Sequence, residues 1–358
     1  MKSKQTVTDH SQDLDTSSRK SEHIRICLEE QVTGIGISTG FENYRFRHNA
    51  LPELSFTDIR LHSNWFGRCI KAPLLVSSMT GGTNAAGAIN RRLAVAAEER
   101  GWAIGLGSMR AAIENEALAS TFQIREEAPT VPVIANLGAV QLNYGFGVDA
   151  CRRAVEIAEA DALVLHLNSM QEIFQREGNT NFSFLLAAIE QLCRQLDVPV
   201  GVKEVGWGID GETAVRLSGA GVSFVDAAGA GGTSWSQVEK HRSGSQMQKA
   251  AAEAFAGWGI PVADSVSDIR NRLPHMPLIA SGGMRTGVEA AKAIALGADL
   301  VGFGRALLPQ AASDDSAISI RRLVEQFERI EFELRAAMFG IGAGNIQDLK
   351  QTNRLSLI

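Results

Sequence analysis

From residue 72 onward the sequence alternates two kinds of segment. Short runs rich in Val, Ile and Leu are typical of buried strands, and the stretches between them repeat apolar residues every three to four positions, as helices do. Because eight such strands alternate strictly with helices, the pattern predicts an α/β fold, a closed (β/α)8 TIM barrel rather than an open doubly wound sheet. The predicted strands are 72–78, 102–108, 131–137, 161–168, 198–206, 221–229, 277–283 and 298–306.

Several segments do not belong to the eight strand–helix repeats. A ninth apolar run, 260–265, contains Pro261 where a helical pattern starts, so we interpret it as a connection with proline at the first helical position. We predict the barrel at 72–345, preceded by an N-terminal extension at 19–71 that is helical over 19–30 and caps the barrel. Residues 1–18 are predicted to be a flexible polar tail and residues 346–358 a C-terminal tail.

Charge and composition exclude several classes of partner. The formal net charge of −5 argues against a general nucleic-acid or anionic-membrane binder. No apolar run approaches the ~18 residues that a membrane span needs, and the first residues lack the apolar core of a signal peptide. The four cysteines have no metal-type spacing. These observations predict a cytoplasmic protein with a small-molecule substrate.

The predicted strands end in polar residues or glycine, which in a parallel barrel is where catalytic groups lie. Along strand 161–168, Val164, His166 and Asn168 share one face, and leucines share the other. We predict that the leucines meet the helices and that the second face points into the barrel, as Lys203 does on the next strand. One polar strand end is commonly a turn or a helix cap, but eight on one rim favour an active site.

The last two strands each end in a pair of glycines, Gly282 with Gly283 and Gly302 with Gly304, and a helix follows each pair. Tight turns would explain one such pair. Its repetition next to Arg285 and Arg305 favours a phosphate site between the two loops. The sequence has no GxxxxGK[ST] or HExxH motif, which argues against a P-loop NTPase and a zincin. Its GISTG stretch at 36–40 has the GxSxG spacing but precedes the first predicted barrel strand, so it lacks the strand-to-helix context of an α/β-hydrolase nucleophile.

These segments together closely resemble the type 2 isopentenyl-diphosphate isomerases, which are FMN-dependent (β/α)8 barrels. The resemblance includes SSMTGG, GLGSMR, ANLGAVQL, VGVKEVG, AGAGGTSW and ASGGMRTG. Many FMN barrels share the glycine-rich phosphate site. RKSEH at 19–23 together with HLNSMQE at 166–172 is specific to the isomerases.

The resemblance implies interconversion of isopentenyl diphosphate and dimethylallyl diphosphate in isoprenoid biosynthesis. Reduced FMN would act as acid and base in a 1,3-allylic proton shift, NADPH or NADH would reduce it, and Mg²⁺ would bind the diphosphate. The family also implies a homo-oligomer, a tetramer or an octamer.

The resemblance also assigns roles to matching positions. Catalytic residues would be Gln171, His166 and Asn168, and the metal ligand would be Glu172. The substrate would be bound by Arg19, Lys20, Ser108, Met109, Arg110 and Gln171. The flavin would be contacted by Ser78, Met79, Thr80, Ser108, Asn136, Lys203 and Thr233, and its phosphate end by Gly282, Gly283, Met284, Gly304 and Arg305.

Two positions depart from the family pattern: Asn179 stands where Asp is expected and Arg176 where Pro is common. Neither is predicted to touch the ligands, so the departures bear on the geometry of their loop. The predicted rim has no pair of acidic side chains, which favours the reduced flavin as the proton donor.

Two other functions stay open. An FMN barrel that oxidises a 2-hydroxy acid would need a base and a carboxylate ligand, which His166 and Arg110 would supply. A flavin-binding barrel without catalysis would act as a sensor or an assembly partner.

Overall fold

The computed structural model describes the backbone of residues 10–358 and the side chains of residues 18–358. Residues 1–9, in the predicted flexible tail, lie outside the described residues. Helix α1 (His10–Glu29) includes residues 10–18, so the predicted end of the tail at residue 18 is corrected. The helix predicted over 19–30 is confirmed to within its last residue.

The rest of the N-terminal extension contains short strands. Strand β1 (Tyr44–Phe46) follows a single 3₁₀ turn, and β2 (Ser63–Trp65) pairs antiparallel with β3 (Arg68–Ile70). Gly67, with φ of 79°, completes the tight turn of this hairpin. The hairpin lies directly before the first barrel strand.

Eight parallel strands form a closed barrel, which confirms the predicted (β/α)8 fold. Each lies inside its predicted range except β6, which extends to Gly138. The strands are β4 (Leu74–Val76), β5 (Ala103–Gly105), β6 (Val133–Gly138), β7 (Ala162–His166), β8 (Val200–Lys203), β9 (Phe224–Asp226), β10 (Leu278–Ser281) and β11 (Leu300–Phe303).

Helices and short helical turns connect the strands and cover the barrel. Pro261 lies directly before one of them, as its N-cap rather than its first residue, so that segment adds no barrel strand. The helices are α2 (Asn84–Arg100), α3 (Arg110–Glu114), α4 (Val148–Ala158), α5 (Ser169–Phe174), α6 (Leu185–Gln195), α7 (Gly211–Gly219), α8 (Trp235–Arg242), α9 (Gln246–Ala254), α10 (Val262–Arg272), α11 (Gly287–Ala295), α12 (Leu308–Ala311) and α13 (Ser316–Ile341). In the part of the chain that the structure describes, none of them has the length and apolar character that a membrane span requires.

The C-terminal segment returns to the N-terminal extension. After α14 (Ile346–Lys350), strand β12 (Leu355–Leu357) pairs antiparallel with β1. The Lys350 ammonium donates to Asp299 at 2.5 Å, which anchors the segment to the barrel. Residues predicted to form a C-terminal tail are therefore ordered against the extension, a pairing between distant parts of the chain that local patterning does not show.

Two apolar cores follow from the alternation of side chains along the strands. Leu163 and Leu165 pack outward against the helices, whereas Val164 packs inside the barrel, as predicted. The β2–β3 hairpin closes the amino-terminal end, because the rings of Trp65 and Phe66 lie 6.0 and 5.1 Å from the ring of Phe224. The barrel is thus open to ligands at its carboxyl end.

We expect Phe224→Ala to destabilise the fold by about 3–5 kcal/mol, because it leaves a cavity where three aromatic rings meet. Phe224 is 0% exposed. The matched control is Phe184→Ala, which removes a ring that is 90% exposed and should change stability by less than about 0.5 kcal/mol. Denaturant unfolding followed by fluorescence measures both, and equal effects would contradict the assignment of Phe224 to the barrel floor.

Candidate active site

A cavity of about 650 Å³ opens at the carboxyl ends of the barrel strands. Such a volume falls in the range of about 300–1,000 Å³ typical of small-molecule sites. Helix α1 contributes Arg19, Lys20 and His23 to its wall. The cavity is lined by every predicted site residue but one, namely by Arg19, Lys20, Ser78, Met79, Thr80, Ser108, Arg110, Asn136, His166, Asn168, Gln171, Glu172, Lys203, Thr233, Gly282, Gly283, Met284, Gly304 and Arg305.

Met109 is the exception. Its side chain is fully buried in the apolar core between barrel and helices, so it does not line the cavity. Its backbone N–H donates to the carbonyl of Asn136 at 2.8 Å, which fixes the start of α3 against strand β6. Its neighbours Ser108 and Arg110 provide the cavity surface at this point, and the predicted role of Met109 in substrate binding would fall to its backbone.

The glycines after β10 form a turn that fits a phosphate group. Gly282 and Gly283 have φ of 107° and 77°, a conformation that side chains disfavour. A Cβ on Gly282 would lie 2.1 Å from the Gly229 carbonyl oxygen, and one on Gly283 would lie 2.6 Å from that of Gly231. Since both glycines line the cavity, an anion can approach their backbone closely.

Several buried polar atoms around the cavity lack a partner. Within the described residues, no hydrogen bond is made by Ser77 Oγ, Thr80 Oγ1, Gln141 Oε1 or Asn168 Oδ1. An unsatisfied buried polar atom costs about 1–3 kcal/mol, so these atoms indicate a polar ligand that completes their hydrogen bonds. Thr80 and Asn168 belong to the predicted site, and Ser77 and Gln141 were not predicted. Together with Lys203 and the glycine turn, this set of donors and acceptors fits FMN.

The inward face of strands β6 to β8 places three polar side chains together. His166 Nδ1 lies 2.8 Å from Asn136 Oδ1, and Lys203 Nζ donates to the Glu204 carbonyl at 2.5 Å. Burial, with the nearby charges of Lys203 and Lys20, lowers the pKa of His166 to about 3. The imidazole is therefore neutral at physiological pH, and because Asn136 Oδ1 is an acceptor, Nδ1 carries the proton and Nε2 is left as an acceptor.

Helix α5 carries the carboxylate predicted to bind a metal. Glu172 accepts from Asn168 Nδ2 at 2.7 Å and from the Asn179 backbone N–H at 2.5 Å. No group of three or more His, Cys, Asp or Glu side chains suited to a metal occurs in the described chain. Mg²⁺ commonly binds through one or two carboxylates plus water and phosphate oxygens, so Glu172 alone fits a magnesium ion shared with a phosphorylated ligand.

The cavity wall brings three cations close together, Arg19 and Lys20 from α1 and Arg110 from α3. Burial, together with repulsion from Arg19 and Arg110, lowers the pKa of Lys20 to about 8. Burial and the charges of Arg110 and Arg242 likewise lower the pKa of Arg19. One carboxylate, Glu114, pairs with Arg110 at 2.7 Å. Desolvated cations that repel one another form a site for a dense anion.

The structure also brings to this site three residues that sequence patterns did not assign. Glu239 on α8 is 1% exposed and accepts from His23 Nε2 at 3.0 Å, Gln171 Nε2 at 3.3 Å and Arg242 at 2.7 Å. Burial alone would raise the pKa of Glu239, but the hydrogen bond from His23 and the ion pair with Arg242 outweigh it, so the pKa is lowered. A buried carboxylate therefore lies behind Gln171, although Glu239 itself does not line the cavity.

The sequence spacing indicated only one of these three residues, His23. His23 lies four residues after Arg19, so the two share one face of α1. Its imidazole contacts the Trp235 ring at 5.0 Å, edge on, which docks α1 onto α8. Glu239 and Arg242 lie in a strongly polar helical segment that resembles an exposed helix. Only tertiary packing buries Glu239 and leaves Arg242 partly buried beside it.

Comparison with known proteins places this barrel in a class. A family model described as FMN-dependent dehydrogenase matches residues 141–355. A lactate oxidase from Pediococcus acidilactici has a TM-score of 0.66 at 16% identity, covering 100% of this chain and 96% of that one. A mandelate oxidase has a TM-score of 0.64 at 19% identity, with coverage of 96% and 99%. The fold and the matched model thus define a barrel of the FMN-dependent class.

Curated relatives narrow the class to one family. The isopentenyl-diphosphate delta-isomerase of Oceanobacillus iheyensis is 54% identical over 342 residues, covering 96% of this chain and 97% of the relative. That of Nostoc sp. is 47% identical over 350 residues, with 98% of both chains covered. The chain belongs to the isopentenyl-diphosphate delta-isomerase family, in its FMN-dependent type 2 form. The family predicted from RKSEH and HLNSMQE is confirmed, as is the prediction of an enzyme.

We expect His166 to show no protonation step between about pH 5 and pH 8, where an unperturbed histidine titrates. The reason is the desolvated position of its ring between Lys203 and Lys20. NMR of the protein with ¹³C-labelled histidine measures this, and the spectrum of His166→Asn identifies the signal. A titration near pH 6.5 in that signal would contradict the assigned neutral state.

Proposed function

We propose that this protein interconverts isopentenyl diphosphate and dimethylallyl diphosphate, with reduced FMN as acid and base and Mg²⁺ on the diphosphate. The observation that carries the proposal is that one cavity is lined by two groups of residues that each suit an anion. The glycine turn with Arg285 and Arg305 suits the flavin phosphate, and the cations of α1 and α3 suit a second, denser anion. An enzyme that acts on a phosphorylated substrate beside FMN needs both.

Binding of the diphosphate rests on residues of the chain itself. Because the net charge is −5, attraction depends on the locally placed Arg19, Lys20 and Arg110. Glu172 would hold Mg²⁺, with its carboxylate oriented by Asn168 and by the backbone of Asn179. Mg²⁺ held there would offset the repulsion between the Glu172 carboxylate and the negatively charged diphosphate.

The isomerisation requires that one carbon of the alkene gains a proton and another loses one. Reduced FMN, when bound, would supply the proton donor and acceptor next to the alkene. Gln171 donates to Glu239 through Nε2, and its Oε1 lies 3.4 Å from Asn168 Nδ2, so both ends of its amide are held. We assign Gln171 and Asn168 to orientation of the alkene. His166, neutral and buried, would accept a hydrogen bond at Nε2 rather than act as an acid.

The same imidazole argues against oxidation of a 2-hydroxy acid. That reaction needs a base for the hydroxyl or α-proton, and a base whose conjugate acid has a pKa near 3 is weak. A flavin binder without catalysis would have no use for the second anion site or for the held amide of Gln171. Both alternatives therefore leave residues of the cavity without a role.

One experiment separates the three functions: anaerobic incubation of the purified protein with FMN, NADPH, Mg²⁺ and isopentenyl diphosphate. We expect dimethylallyl diphosphate to form, because all the assigned groups act on this substrate. Chromatography of the dephosphorylated products detects it, and protein without added reductant is the control. Flavin reduction by lactate or mandelate without isomerisation, or binding of isopentenyl diphosphate without turnover, would contradict the proposal.

We also propose that either NADPH or NADH reduces the flavin and that the protein acts in the cytoplasm as a homo-oligomer, a tetramer or an octamer. The family resemblance supports these statements. Anaerobic reduction rates with each nicotinamide, and light scattering after gel filtration, test the first and the last.

For the free enzyme we expect kcat/KM to fall above about pH 8, by roughly tenfold per pH unit at the limit. The anion requires the protonated form of Lys20, and burial with repulsion from Arg19 and Arg110 lowers the pKa of that group to about 8. A rise in pH therefore removes the charge that binds the substrate. Lys20→Arg, which stays protonated, should move the fall to higher pH, and an unchanged profile in that variant would show that another group titrates.

A further inference from the structure

Asn179 makes three contacts, each to a different part of the site. Its side-chain Oδ1 accepts from Arg110 Nη1 at 3.1 Å and from Gln141 Nε2 at 3.1 Å. Its backbone N–H donates to Glu172 at 2.5 Å. Asn179 thus links Arg110 of the anion site, the Glu172 carboxylate assigned to Mg²⁺ and the Gln141 amide on the cavity wall. The Oε1 atom of that amide has no hydrogen-bond partner among the described residues.

The loop that carries Asn179 is held from both sides. A Cβ on Gly178 would lie 1.8 Å from the Glu172 carbonyl oxygen, so the chain turns directly over α5 with no room for a side chain. Beyond the turn, Asn143 Nδ2 donates to the carbonyls of Asn181 and Ser183 at 2.9 and 3.0 Å. Asn179 therefore has little freedom to move away from Arg110 and Glu172.

We propose that Asn179 is a positioning residue that orients Arg110 and Glu172 while leaving the positive charge of the anion site undiminished. This inference rests on the proposed function of that site. An amide oxygen accepts the guanidinium hydrogen bond as a carboxylate does, but without a charge of its own. Arg110 already pairs with Glu114. A second carboxylate at position 179 would place Arg110 between two anions.

The charge at position 179 has opposite consequences for the two ligands. Repulsion among Arg19, Lys20 and Arg110 is relieved when an anion binds, and this favours the diphosphate. A carboxylate at 179 would relieve the same repulsion from within the protein and so weaken anion binding. Next to Glu172 it would also add a second oxygen-donor group for a divalent cation, which strengthens binding of the metal alone.

The test is calorimetric titration of the flavin-loaded protein with inorganic pyrophosphate in the absence of Mg²⁺, and separately with Mg²⁺ alone. For Asn179→Asp we expect pyrophosphate to bind about tenfold more weakly, as a change of ~1.4 kcal/mol gives, and Mg²⁺ to bind more tightly. For Asn179→Ala, which keeps the backbone contact to Glu172, we expect weaker pyrophosphate binding with Mg²⁺ binding unchanged. In turnover, the aspartate variant should raise KM more than it lowers kcat.

Asn181→Asp is the matched control. It adds the same charge two residues away on the same loop, where the exposed side chain accepts from the Ser183 N–H at 3.1 Å, and it should leave both affinities within about twofold of wild type. Equal loss of pyrophosphate affinity in the two aspartate variants, or none in either, would overturn the role of Asn179. Wild-type protein that binds no pyrophosphate would instead contradict the proposed function. The flavin absorbance and melting temperature of each variant show that the fold is kept.

Discussion

Closure of the parallel barrel is the constraint on which the site depends. Strand β4 pairs with β5 on one side and with β11 on the other, so the sheet has no free edge. The strands are only three to six residues long, and their register alone decides which side chains become neighbours. Lys203 is paired with His166 on β7 and with Asp226 on β9. With aromatic rings closing the floor, polar groups at the carboxyl ends share one cavity.

The cavity concentrates charges that water no longer screens. Burial raises the pKa of Asp226, and the neighbouring Lys203 and the Ser281 hydroxyl, which donates at 2.6 Å, oppose that rise. Glu239 depends in the same way on His23 and Arg242. Removal of these partners would leave each carboxylate buried with less to offset its desolvation. The cations of α1 and α3 differ from these carboxylates, because their mutual repulsion is only partly compensated within the described chain. Uncompensated positive charge of this kind favours the binding of an anion.

The barrel and its rim were predictable because they follow from local patterns. Alternation with a period of two placed Val164 and His166 inside and the leucines of β7 outside, and the structure agrees. Met109 could not be placed in this way, because it lies at a loop-to-helix junction where no period fixes the direction of the side chain. The pairing of β1 with β12 joins residues more than 300 positions apart in the chain, and the burial of Glu239 depends on the docking of α1. Neither leaves a trace in the sequence nearby.

The same barrel supports different chemistry according to what is added at its rim. Lactate and mandelate oxidases share the fold at 16–19% identity, which shows common architecture and nothing of substrate. In this chain the residues that we propose for diphosphate and Mg²⁺ binding lie mainly outside the strands. Arg19 and Lys20 come from α1, and Glu172 and Asn179 come from α5 and the loop after it. Because α1 is docked through His23 onto Glu239, which also holds Gln171, the helix that carries Arg19 and Lys20 and the amide of Gln171 are both fixed by one buried carboxylate. A change in how α1 packs would therefore displace the cations of α1 and the Gln171 amide together, although the barrel beneath them stayed intact.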